Sequence, residues 1–189
     1  MNLGQTMIGM GMFILLVMSV ISANRMLVQN AETNLQTEAL TESATIANDL
    51  FSEAQSKKFD ELADDSGAQD SSAFSSPSGG APSGSEWGPS STEQSKVGPM
   101  PDSSYVGHYR SINAFDDVDD YNGYTRIVNA DTANGIRIGG YLVTVRVFYV
   151  SASNPDVAVP CQTFFKKIEV DVEHPQYLQK ITYSSLMSY

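Results

Sequence analysis

Between Met1 and Asn24 the chain carries no charged side chain, and Met7–Ala23 (MIGMGMFILLVMSVISA) is apolar almost throughout. Arg25 is the first charge, and no proline interrupts the sequence before Pro77. Such a start predicts one long helix. As a helix, residues 1–24 span about 36 Å at ~1.5 Å per residue, enough to cross a hydrocarbon core of about 30 Å or to lie in a filament core. No basic segment precedes the apolar run, as one would in a cleavable secretory signal. Arg25 is the only basic residue near it, so charge gives little guidance on orientation in a membrane. Gly9 and Gly11 weaken the helix by up to about 1 kcal/mol each relative to Ala. They mark either close packing against neighbouring helices or a place where the helix melts.

Beyond Arg25 the composition turns amphipathic. Leu27, Ala31, Leu35, Ala39, Ile46, Leu50 and Ala54 recur at four-residue steps, apart from one seven-residue gap at Glu42–Ser43. Glu32, Glu38, Asn48 and Glu53 fall mostly between them. A stripe of this length exceeds what a domain made of residues 105–189 can cover, so part of it is expected to meet other subunits. Ser43, Ala44 and Ala47 fit close helix packing better than a leucine-rich coiled coil does.

Residues 64–104 are rich in Ser, Gly and Pro and poor in aliphatic side chains, which reads as a linker too polar to form a core. A surface-wrapping arm held by Phe74 and Trp87, a hydroxyl-rich tract carrying O-linked glycans and a plain spacer all fit this composition. If the tract is ordered, Trp87 is its expected anchor. The remaining segment, 105–189, reads as an antiparallel β-domain. Val143, Val145, Val147 and Tyr149 alternate with Thr144 and Arg146, and Ile168, Val170 and Val172 alternate with Glu169, Asp171 and Glu173. Residues 178–186 supply a further strand and 124–128 a shorter one. The fold class is thus α+β: a long N-terminal helix (1–63, apolar over 1–24) packed on a small antiparallel sheet.

Four carboxylates crowd into Asp116, Asp117, Asp119 and Asp120. Asp117, Asp119 and Asn122 loosely resemble the opening of a calcium loop, but Val128 stands where the closing Glu belongs. An Asp-rich turn accepting backbone N–H bonds is the favoured reading, with calcium as the alternative and no other cofactor called for. The net charge is −11, with four Lys or Arg against thirteen acids in residues 1–104, which argues against a nucleic-acid partner. The single Cys161 excludes an intrachain disulfide and reads as a small buried apolar residue. His108 and His174 sit in no catalytic pattern, and no nucleophile elbow or phosphate loop appears, so the chain is not read as an enzyme.

Long apolar helix, polar loop and small antiparallel sheet, in that order, resemble the plan of type IV pilins and pseudopilins. The likeness is closer in FDDVDDYNGY (115–124), YLVTVRVFYV (141–150) and KKIEVDVEHP (166–175), which are similar to the C-terminal half of pilins of the mannose-sensitive haemagglutinin type. Two features depart from the family. With Met1 as the first mature residue, the fifth position is Gln5 where pilins carry Glu, and the apolar half lacks their helix-breaking proline. The resemblance implies a structural subunit of an extracellular filament on the cell surface, self-assembled by helix bundling through Gln5, Phe13, Leu16, Val20, Leu27 and Leu35. It implies insertion in the inner membrane before assembly, and a pilus assembly machinery as partner. The alternative is a membrane-anchored minor pseudopilin or bitopic module outside the main filament.

Overall fold

A computed structural model of the chain describes residues 3–62, 70–77, 87–91, 93, 111–128 and 140–189. Of the linker 64–104, therefore, only three short pieces are described, and His108 lies outside the described residues.

Helix α1 runs without interruption from Leu3 to Gln55, through Gly9 and Gly11. Its last turn tightens as Ser56 N donates to the carbonyls of Ser52 and Glu53, and Lys57 N to that of Ala54. The chain then runs extended beside the aspartate run: Lys58 N donates to Asp116 O, and Val118 N donates to Lys58 O. The helix is thus shorter than residues 1–63 allowed, because backbone pairing with 116–118 replaces helical bonding. Along its outer side, Thr33, Thr37, Thr41 and Thr45 each donate a hydroxyl to the carbonyl four residues earlier, which satisfies them locally.

A short helix α2 (Ser111–Ala114) and a 3₁₀ turn (Asp119–Tyr121) lead into the sheet. Its strands are β1 (Thr125–Val128), β2 (Tyr141–Ser151), β3 (Asn154–Ala158), β4 (Phe165–His174) and β5 (Leu178–Ser188). All pairs are antiparallel in the order β1-β2-β4-β5, with β3 paired to the end of β2. The register aligns the inward residues in rungs: Val143↔Val172, Val145↔Val170 and Val147↔Ile168 between β2 and β4, continued by Ile181, Tyr183 and Ser185 on β5. The sheet is therefore apolar on one face, as the alternation predicts, and α1 closes that face with Ala39, Ile46, Ala47, Leu50, Phe51 and Ala54. The opposite face is charged. Arg146 pairs with Glu169 at 3.0 Å and Lys180 with Asp171 at 2.7 Å, across neighbouring strands.

Residues 154–158 form an exposed edge strand that the sequence analysis does not pick out; a proline is tolerated where no neighbour needs its N–H. One sequence expectation is corrected. Cys161 is exposed rather than buried, because the connection from β3 to β4 crosses the surface.

Candidate functional site

Two features of the fold exceed what a small domain needs. The first is the outer part of α1. Every residue from Gly4 to Asn34 is exposed, including Phe13 (66%), Leu16 (61%), Val20 (52%) and Leu27 (67%). These four lie at steps of three, four and seven, so they share one side of the helix. Gln5 is exposed on the same free segment. Leu35 differs: it is half-buried and packs on the protein's own core, so the domain begins there. A Cβ added at Gly9 or Gly11 would touch nothing within 4 Å, so nothing among the described residues requires either glycine. The helix is long and apolar enough to cross a membrane.

The second feature is a buried polar centre beneath the aspartate run. Asp117 is the hub of the turn. Its Oδ1 accepts from the N–H groups of Asp119 (2.9 Å) and Asp120 (3.2 Å), and its Oδ2 accepts from Glu61 N (2.7 Å). Asp120 Oδ2 accepts from Asp116 N and Asp117 N at 3.0 and 3.2 Å. Asp117 and Asp120 thus hold backbone donors, as the sequence leads one to expect, whereas Asp119 accepts from Lys166 instead. Of the three calcium candidates, Asp117 and Asp119 are brought together, whereas Asn122 turns to the sheet and accepts from Val147 N at 3.2 Å. Gly123, with φ +82°, makes the turn that a Cβ would strain. Carboxylate oxygens also approach one another, within 4.8 Å, in the sets Glu61, Asp116, Asp117 and Glu93, Asp116, Asp120.

Behind this turn lies Lys166, fully buried. Its Nζ donates to the Phe59 carbonyl at 2.6 Å, to Asp60 Oδ2 at 3.2 Å and to Asp119 Oδ1 at 2.5 Å. The rings of Phe59, Trp87 and Tyr149 stand 4.7, 5.2 and 5.2 Å from the ammonium. Asp60 is held at five points, also accepting from Leu62 N, from Ser75 N and Oγ, and from Tyr149 Oη. Asp119 is poorly satisfied: its Oδ2 is buried and accepts from no N–H or hydroxyl. Burial, then the charges of Asp119 and Asp120, push the Asp117 carboxyl up to about 9. Burial raises Asp119 as well, against the opposing pull of Lys166, and lifts Asp120 to about 7. Burial thus favours the protonated form of Asp117, and its carboxyl makes hydrogen-bond contact with that of Asp119.

The linker contributes to this centre. Phe74 is fully buried, 5.0 Å from the Phe59 ring, and the Trp87 ring lies 5.0 Å from that of Tyr149, tilted by 39°. Trp87 is thus one of two anchors, with Phe74 the deeper.

Lys166 and Asp60 were not singled out by sequence reasoning, and Tyr149 was read only as one of the alternating residues of a strand. The signal was available: Lys166 has the same parity as Ile168, Val170 and Val172, and so points into the core. His174 shares that parity too; it is buried, and its Nδ1 accepts from Gln176 N and Tyr177 N, closing the β4–β5 turn.

No protein-family model matches the chain, and neither a curated protein nor a solved structure matches it.

Proposed function

We propose that the chain is the structural subunit of an extracellular type IV pilus-like filament, in which apolar N-terminal helices bundle and sheet domains face solvent. The observation that carries this reading is the continuous helix whose residues 4–34 bury nothing against their own domain. An apolar surface of that size is strongly unfavourable in water. A bilayer serves before assembly, and the helices of other copies serve after it. Gly9 and Gly11 suit close helix approach. The resemblance of 115–124, 141–150 and 166–175 to pilins supports the same reading, as does the acidic, hydroxyl-rich surface of the rest of the chain. Gln5 in the filament core leaves a hydrogen-bonding group where pilins place a carboxylate, so register between subunits rests more on packing than on charge.

The same helix also suits a membrane-anchored minor pseudopilin or bitopic module. Electron microscopy of material sheared from cells separates the two. A filament subunit dominates that fraction as long fibres. A chain found only in membranes, with no fibres in the sheared fraction, would exclude the filament role.

A further inference from the structure

Lys166 has a surrounding that filament assembly does not call for. An amine lies against two carboxyls in a site closed by Phe59, Trp87 and Tyr149. Lys166, Asp60 and Asp119 all have fully buried side chains. The two carboxyls differ. Asp60 has N–H and O–H donors on both oxygens. Asp119 has one oxygen at 2.5 Å from Nζ and the other without an N–H or hydroxyl donor.

We infer that Lys166 and Asp119 condense to an intramolecular amide between Nζ and Cγ, a covalent tie from β4 to the turn that follows α2. The arrangement supplies what such a condensation needs. Amine and carboxyl are held in contact, so the reaction has no encounter cost. Water is kept out, and a neutral amide replaces a buried ion pair whose desolvation is expensive. A carboxyl on each side moves the protons. Nζ passes a proton to Asp60, and its freed electron pair bonds to Cγ. Oδ2 takes the proton of Asp117, and Nζ then gives a second proton back to Asp117. The Cγ–Oδ2 bond breaks with its electron pair on oxygen, which leaves as water with the proton held by Asp60. Two protons leave Nζ and two arrive on Oδ2, so Asp60 and Asp117 end as they began and no oxidant or co-reactant is consumed. The step is a single event of the chain upon itself, with no turnover. Asp119 is the partner rather than Asp60 because its Oδ2 holds no N–H donor that would have to be given up, whereas five hydrogen bonds occupy both oxygens of Asp60.

Intact-mass spectrometry of the full chain, purified in detergent, reads the bond directly. The expected mass is one water molecule below that of the sequence, and a protease digest yields a branched peptide joining the segments around Lys166 and Asp119. Lys166→Met, which removes the amine, is expected at its full sequence mass whether or not it folds well. A wild-type chain at full sequence mass, a water loss that persists in Lys166→Met, or a branch ending on Asp60 would each overturn the inference.

Discussion

The hydroxyl of Tyr183 on β5 lies 2.8 Å from Ser43 Oγ on α1, in the middle of the helix–sheet interface. Ser43 is fully buried, and its hydroxyl also donates to the Leu40 carbonyl. At the preceding residue, Tyr141 Oη donates to Glu42 Oε2 at 3.0 Å. The gap in the apolar stripe at Glu42–Ser43 is therefore where tyrosine hydroxyls of the sheet meet the helix. Tyr183→Phe is expected to lower stability by about 1 kcal/mol, the usual net worth of one hydrogen bond. Equilibrium urea unfolding reads the change. No loss would mean that Ser43 is satisfied by Leu40 alone.

The acidic turn sets a pH dependence. The Asp117 carboxyl faces Asp119, Asp120 and Lys166, and Asp120 faces Glu93 and Asp119. Both have folded values raised above the unfolded one, to about 9 and about 7. The folded state therefore holds more protons, and stability falls as pH rises. The contribution is complete near pH 4, declines through 7 as Asp120 ionises, and is gone above 9. Asp171 works in the opposite sense. Burial pushes it up, but bonds from Lys180 and Thr182 and the charge of Arg146 outweigh that and hold it below its ordinary value, so it matters only under more acid conditions. Thermal melts from pH 5 to 9 should show a falling midpoint, with Asp120→Asn removing part of the fall below about 7. A midpoint rising over this range would contradict the reading.

Calcium should do little to the fold. Asp117 and Asp120 give three and two acceptor bonds to backbone N–H groups, and Asn122 is engaged by Val147. A calcium ion needs six to eight oxygens, and recruiting these would break the turn. Melting the chain with calcium and then with a chelator is expected to give the same midpoint. A rise of many degrees would make the cluster a metal site.

Truncation before about Val28 should leave a soluble monomer with its sheet intact. No described residue ahead of Leu35 is buried, and the core uses only Leu35 and later positions of α1. Circular dichroism and size-exclusion chromatography check this. Loss of β-structure would show that the sheet depends on the outer helix or on neighbouring subunits.

Periodicity made the architecture legible. Alternation in 141–150 and 164–173 gave two long strands and their buried faces, and the stripe from Leu35 to Ala54 gave the helix face that covers them. Edge strand 154–158 escaped because Asn154-Pro155 carries a turn signature, and an edge needs no apolar pattern. The Lys166 centre escaped for a different reason. A lysine beside a second lysine reads as solvated charge, and only parity with Ile168 reveals that it is interior. Asp60 and Asp119 lie far from it in sequence, and Tyr149 meets it only through the β2–β4 register, so no local motif could announce the cluster.

Bundling of the apolar helices is most directly tested by placing a carboxylate in the proposed core. Leu16 is 61% exposed and contributes nothing to its own domain, so Leu16→Glu leaves the sheet untouched. A buried, unpaired carboxylate costs several kcal/mol per subunit, repeated along a fibre. Electron microscopy of cells producing this variant should show no filaments although the chain is still made. Filaments of normal number and length would contradict a core location for the helix.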